Sequence, residues 1–392
     1  MIYAGVDIAK SNHVIDAIDD SGKELTSPLS FKNDEDGFER CIAWLEGIAE
    51  CEQDVVIAME ATGSYWMALF SYLTTHNYTT VVVNPVHVKA VRKFKNQLGV
   101  KTDRIDSFLI AETLRLGEYD PTRLATNEVQ SLKTLTRYRQ SIQEQIAQTK
   151  TKIVCLMDTY FPEYEKLFSD MFCASSLALL AKTPLPNKIA RMKTPSLTKL
   201  LSETSRGRFG TEKAEQIKAV AKASIGIHIA EEAAAFEIEE YVRLLAYLEE
   251  QISRAEKKIT HLLNEVEPLI LTIPGISVTL GSQIVAEIGD VNRFKNAASI
   301  VKYAGLNSKI DESGEFVAQG LPITKAGSSY LRRALWLAAE RAYRFDPKLG
   351  EFYAKKRAEG KCHRVAVTAI ARKLCHIIYA VLRDQVPYDP ER

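Results

Sequence analysis

Two unbroken apolar runs, residues 55–59 in DVVIAME and 81–83 in TTVVVNP, constrain this chain more than any other feature. A strand that is apolar at every position has to be covered on both faces, as strands inside an α/β layer are. The neighbouring segments supply the covers. GFERCIAWLEGIAE puts Phe38, Ile42, Leu45 and Ile48 on one helical face, and TGSYWMALFSYLTTHN reads as a second helix. Upstream, IYAGVDIA and NHVIDAID read as strands, and the DSG turn leads towards a third.

Three antiparallel strands followed by alternating strands and helices is the order of a ribonuclease-H-like α/β domain, expected here over residues 1–122. Beyond about residue 126 the pattern turns helical. Ile142, Ile146, Ile153, Leu156 and Tyr160 form one stripe, and Leu244, Leu248, Ile252, Ala255, Ile259, Leu262 and Val266 form another. Both spacings are of coiled-coil type, so the region 123–268 is expected to be a helical, coiled-coil middle whose long helices pair within or between chains. Residues 170–228, with Pro184, Pro186 and Pro195, read as short helices and loops. At 269 the character changes again. TIPGISVTLGSQIVAEIGD holds an apolar–Pro–Gly–apolar turn between two helices and opens a third, mainly α domain over 269–392.

The net charge is only +1, but basic residues are concentrated: six Lys or Arg against one Asp in 86–104, and thirteen against four acids in 321–376. Basic stretches in a neutral chain suit a polyanion bound by particular faces. The six cysteines form no CxxC pair, and the seven histidines show no metal-ligand spacing, which argues against zinc. No apolar run approaches the eighteen or so residues that span a bilayer, and MIYAGVDIAK lacks a signal core. The expected location is the cytoplasm, in the bacterial nucleoid if the chain binds DNA, with no membrane partner.

Four acids carry the candidate chemistry. Asp7 lies in the first strand, Glu60 ends DVVIAME, and Asp103 and Asp106 share one face of a helix by their i, i+3 spacing. In the expected sheet the first and fourth strands are neighbours, and the last helix crosses their ends. Grouped carboxylates need cations. Mg²⁺ or Mn²⁺, which prefer oxygen ligands, would stabilise the attacking and leaving oxygens of a phosphodiester. Lys89, Arg92, Lys93, Lys95 and Lys101 lie close in sequence and are candidates to hold a DNA backbone.

GVDIAK, MEATGSYW, VNPVHVKAVRKF and KTDRIDSFLIAE resemble the N-terminal domain of the IS-one-ten (DEDD) transposases of bacterial insertion sequences. TIPGISVTLGSQIVAEIGD, RFKNAASIVKYAGL, SGEF and ITKAGSSYLRRALWLAA resemble that family's second domain. The resemblance implies a RuvC-like N-terminal fold with Asp7, Glu60, Asp103 and Asp106 as the four signature acids. It also implies DNA transposition through a serine that forms a covalent phosphoserine. Further implications are donor and target DNA as partners, a structured guide RNA in several members, and homodimers or homotetramers with active sites shared between subunits.

The family serine falls on Ser313, in the Ser–Gly step of DESGEF, where Glu312 replaces a second serine common in the family. Ser328 and Ser329 are rivals that look more like N-caps of the helix YLRRALWL. TIPGIS resembles a helix-hairpin-helix element, in which Gly275 either presents amides to a phosphate or only closes a turn. Lys325, Arg332 and Arg333 are candidate phosphate clamps beside the serine. Two other functions compete: a junction-resolving endonuclease that hydrolyses with water, and a non-enzymatic nucleic-acid-binding protein that has kept the fold.

Overall fold

The computed structural model describes residues 1–60, 63–95, 102–117, 126–266, 268–309, 312–313, 316–317 and 321–391. The chain divides into two compact units, Met1–Leu124 and Ala125–Arg392. The first contains β1 (Ile2–Asp7), β2 (Asn12–Ile18), β3 (Leu29–Lys32), α1 (Glu35–Glu46), β4 (Val55–Glu60), α2 (Trp66–Thr75), β5 (Thr79–Val83), α3 (Pro85–Phe94) and α4 (Asp103–Leu116). Its sheet has the order β3-β2-β1-β4-β5. β2 runs antiparallel to β1 and β3, and β4 runs parallel to β1 and β5. The apolar runs account for the covering on both faces. Ala4, Val6, Ile57 and Met59 pack with α1 and α2 residues such as Phe38, Leu45 and Leu69, whereas Val56, Ala58 and Val81 pack with Leu109, Ile110 and Leu114 of α4.

The second unit is helical. It begins with α5 (Asn127–Tyr160) and continues through the short α6 (Ala174–Lys182), α7 (Pro186–Arg191), α8 (Thr194–Ser205) and α9 (Thr211–Lys222) to α10 (Glu231–Val266). There follow α11 (Val278–Ile288), α12 (Ala297–Tyr303), a two-stranded arm of β6 (Glu312–Ser313) and β7 (Phe316–Val317), then α13 (Ser329–Phe345), α14 (Pro347–Ala358) and α15 (His363–Asp384). The two long helices pair antiparallel within the chain. Leu132, near the start of α5, clusters with Ile259 and Leu263 near the end of α10. Ile146 and Ile153 share a core with Ile238 and Val242, and Arg139 bonds Glu256 at 2.7 Å.

One expectation needs correction. The buried stripe of α10 runs through Leu245, Leu248, Ala255, Ile259 and Leu263, while Leu244 is exposed. Among the described residues, α15 is long and apolar enough by composition to cross a membrane, although Arg372 and Lys373 interrupt its apolar sequence. Its apolar face (Ala366, Val367, Ile370, Leu374, Ile378) packs into the core with α13, and that burial accounts for the composition.

Candidate active site

The acids of the first unit are placed by strand register. Val6 pairs with Met59, so Asp7 and Glu60 end neighbouring parallel strands. Side chains alternate along a strand. Ala4 and Val6 point to the α1 side, so Gly5 and Asp7 point to the α4 side, as do Ala58 and Glu60. Gly5 allows α4 to lie directly on β1: a Cβ there would sit 2.2 Å from Ser107 O and 2.3 Å from Ala111 N. Arg115, near the end of α4, bonds Asp20 O at 3.2 Å, beside the end of β2 that pairs with the start of β1. The helix therefore runs antiparallel to β1, and its first turn, with Asp103 and Asp106, lies towards the Asp7–Glu60 end.

This backbone arrangement brings four carboxyl-bearing positions to one end of one sheet face. The side chains are not gathered into a ligand set: among the described residues no three His, Cys, Asp or Glu groups stand close enough to hold a metal ion. Asp106 pairs with Arg92 of α3. An all-oxygen donor set suits a hard divalent cation, and Asp106 would have to exchange its guanidinium partner to join one.

Two further acids on this face escaped the sequence reading. Asp16 of β2 pairs with Gly5 and is fully buried. Its Oδ1 accepts the Ala17 N–H at 2.8 Å, and its Oδ2 has no partner among the described residues. Burial, reinforced by Glu24, pushes its carboxyl up to about 6. An acid alternating with Val14 and Ile18 on an otherwise apolar strand face was the available signal. Glu112 is also fully buried. Arg115 grips it with bonds of 2.7 and 2.8 Å, and Lys95 Nζ reaches it at 2.6 Å. The Arg115 hydrogen bonds hold its carboxyl below the usual range against the opposing effect of burial, and Lys95 helps.

The basic residues of α3 therefore divide. Lys89 and Lys93 are exposed, while Arg92 and Lys95 neutralise acids of α4. Lys101 lies outside the described residues.

In the second unit, Ser313 pairs with Phe316 at the tip of the β6–β7 arm; its side chain and Gly314 lie outside the described residues. Ser328 caps α13: its Oγ accepts the Leu331 N–H at 3.1 Å and donates to Glu287 Oε2 at 2.8 Å. Glu287 is buried and gripped by Arg137 at 2.7 and 3.0 Å. Ser329 is the exposed first residue of the helix. Lys325 is exposed, and Arg333 is exposed with its Nη1 3.9 Å from Glu144. Arg332, read from sequence as a phosphate clamp, donates from Nη1 to Ala304 O at 3.0 Å and to Lys325 O at 3.3 Å. Gly275, at φ +87°, links a single 3-10 turn (Leu269–Thr272) to α11. It packs so tightly on α13 that a Cβ would lie 2.6 Å from Ala342 N.

Comparison with known proteins adds to this geometry. A transposase family model of the DEDD, IS110 type matches residues 4–162, and that of the transposase IS116/IS110/IS902 family matches residues 267–354. The insertion element IS116 uncharacterized 44.8 kDa protein of Streptomyces clavuligerus is 25% identical over 395 residues, covering 99% of this chain and 96% of that protein. The pilin gene-inverting protein of Moraxella bovis is 24% identical over 394 residues, covering 99% and 97%. The mini-circle putative transposase for IS117 of Streptomyces coelicolor is 22% identical over 407 residues, covering 100% and 96%. Matched by transposase models at both ends and by these relatives along nearly its whole length, the chain belongs to the IS110 family of transposases.

Proposed function

We propose that this chain is a DNA transposase that cleaves and rejoins DNA through the carboxylates of its first unit and a serine of its second. The observation that carries the reading is the meeting of Asp7 and Glu60 at adjacent strand ends, with the first turn of α4 at the same end. The strand order supports reading this unit as ribonuclease-H-like and similar to RuvC. The antiparallel pairing of α5 and α10 supports reading the middle as a coiled coil folded back within the chain.

In this reading Asp7, Glu60, Asp103 and Asp106 hold Mg²⁺ or Mn²⁺. Such ions, when bound, stabilise charge on the attacking and leaving oxygens of a phosphodiester. Lys89 and Lys93 on α3, with Lys325 and Arg333 in the second unit, are the exposed cations available to phosphates. Gly275 contributes backbone amides at its turn. Ser313 is the nucleophile: its Oγ bonds to phosphorus, the P–O bond to the leaving strand breaks, and that strand's oxygen takes up a proton. The phosphoserine conserves the energy of the phosphodiester for rejoining. A structured guide RNA pairing with donor and target DNA, homodimeric or homotetrameric assembly, and action in the bacterial nucleoid rest on the family resemblance.

A denaturing gel that detects protein covalently joined to DNA tests the function. A serine-linked adduct is expected. Cleavage without an adduct would make the chain a hydrolytic endonuclease, and DNA binding without either would make it a binding protein.

A further inference from the structure

The β6–β7 arm that carries Ser313 lies in sequence between α12 and α13, and its foot is tied by backbone hydrogen bonds. Its two legs form a short antiparallel ladder. The Lys309 N–H bonds Pro322 O at 3.0 Å, the Thr324 N–H bonds Asn307 O at 2.7 Å, and the Lys325 N–H bonds Gly305 O at 3.1 Å. Below them the Ser328 N–H bonds Tyr303 O at 2.7 Å.

Two arginines from different core helices hold this ladder. From α13, Arg332 Nη1 spans both legs, donating to Ala304 O at 3.0 Å and to Lys325 O at 3.3 Å. From α15, Arg372 holds the first leg with two nitrogens: Nε donates to Leu306 O at 2.7 Å and Nη2 to Ser308 Oγ at 2.8 Å. Both helices are anchored by buried neighbours, Leu331 and Leu335 on α13 and Ala371 and Leu374 on α15. At Arg372 the planar guanidinium fork reaches two acceptors in fixed geometry, and at Arg332 one guanidinium nitrogen is shared between the two legs; an ammonium is a point donor on a flexible stem.

We propose that Arg332 and Arg372 are positioning residues that fix the foot of the arm and thereby set where Ser313 is presented, rather than ligands of DNA phosphate. This rests on the reading of Ser313 as nucleophile. Misplacing a reacting atom by about 1 Å costs on the order of a hundredfold in rate, so a loosened foot lowers the rate of the chemical step while DNA binding stays intact.

The test uses the full chain carrying Arg332→Lys, Arg332→Gln, Arg372→Lys or Arg372→Gln, with a linear duplex of the element's own ends as probe. A fifth variant, Ser308→Ala, deletes one Arg372 bond from the arm's side and leaves the core helices untouched. Amide hydrogen exchange over residues 305–309 and 323–328 is expected to quicken about tenfold or more in the arginine variants, with amides inside α13 and α15 unchanged. Ser308→Ala should show a smaller change of the same kind. Adduct formation should slow about a hundredfold in the Lys and Gln variants alike, with duplex affinity within about twofold of the parent.

A phosphate ligand behaves differently. If affinity falls in the Gln variants and Lys restores it, the positioning role is wrong. A loosened foot with an unchanged adduct rate also overturns it. Mapping the phosphorylated residue separates the two readings. An adduct on a residue outside the arm removes Ser313 and the positioning role together, whereas an adduct on Ser313 with unchanged exchange at the foot removes the positioning role alone.

Discussion

The guanidinium of Arg92, on α3, pairs with the carboxylate of Asp106 in the first turn of α4. An internal cation thus balances one of the four acids proposed to hold metal, and in that reading a divalent ion would have to compete with it. Arg92→Gln is therefore expected to tighten Mn²⁺ binding to the DNA-free chain by about fivefold, the scale of a partly exposed ion pair of about 1 kcal/mol. Electron paramagnetic resonance titration of free Mn²⁺ measures this directly. Unchanged or weaker binding would show that Asp106 is not a metal ligand.

Asp7 and Glu60 lie side by side on parallel strands, on the face covered by α4. Asp7→Asn and Glu60→Gln keep size and shape and remove one negative charge each. Both variants are expected to lose strand cleavage by about a thousandfold or more, the scale for losing groups that stabilise transition-state charge. Their far-ultraviolet circular dichroism and melting should match the parent. Cleavage that persists in both, or in excess chelator, rules out this carboxylate site.

Much of the first unit was legible because its strands declare themselves: the runs of β4 and β5 are apolar at every position, and such runs have few alternatives. Asp7 and Glu60 were legible as strand ends on neighbouring strands. The partners were not. Arg92 and Asp106 are fourteen residues apart and on different helices, and Arg332 finds backbone carbonyls of Ala304 and Lys325, twenty-eight and seven residues away in sequence. The stripe of α10 failed for another reason. Leu244 and Leu245 are adjacent, as are Leu262 and Leu263, so both registers read as apolar. Only packing against α5 selects Leu245 and Leu263.

The pH dependence of the first unit carries two opposite slopes. Asp16 is buried and its carboxyl is raised from 3.8 to about 6, so folding favours its protonated form. Its contribution is fully present below about pH 4 and is lost as pH rises through about 6, to a cost of about 1–3 kcal/mol. His13 is also buried, and burial lowers its affinity for a proton below the usual 6.5. It folds neutral, so its contribution is present above about pH 6.5 and is lost as pH falls. Asp16→Asn should thus stabilise the unit at pH 8, leave it unchanged at pH 4, and expose the His13 slope alone. Urea unfolding at the two pH values decides it; equal stability of variant and parent at pH 8 would refute the Asp16 account.

The sequence left open whether the stripe with Ile146 and Ile153 pairs within a chain or between chains, and both are buried where α5 meets α10 of the same chain. Aspartate at either position buries an unpaired charge, at a cost of about 4 kcal/mol or more. The double substitution is therefore expected to unfold the second unit rather than release folded monomers. Circular dichroism combined with sedimentation distinguishes these outcomes; a folded monomer would place the stripe between chains after all.

The serines separate by what already binds them. The Ser328 hydroxyl accepts the Leu331 amide and donates to Glu287, whose carboxylate is gripped by Arg137. A hydroxyl committed on both sides, to a backbone amide and to a carboxylate already paired with Arg137, is poorly placed to attack phosphorus. Ser328→Ala should lower stability by about 1–2 kcal/mol through the lost cap and hydrogen bond, yet retain adduct formation. Ser329→Ala, at an exposed first helical position, should change little. Ser313 stands instead on the two-residue strand β6, paired with Phe316 of β7. Ser313→Ala is expected to bind DNA, and any guide RNA, as the parent does and to form no covalent adduct. Peptide mapping of the trapped parent complex by mass spectrometry locates the phosphate. A phosphate on Ser328, Ser329 or a tyrosine refutes the assignment to Ser313 and leaves the transposase reading standing. Cleavage with no trapped adduct under any condition makes water the nucleophile and turns the reaction into hydrolysis.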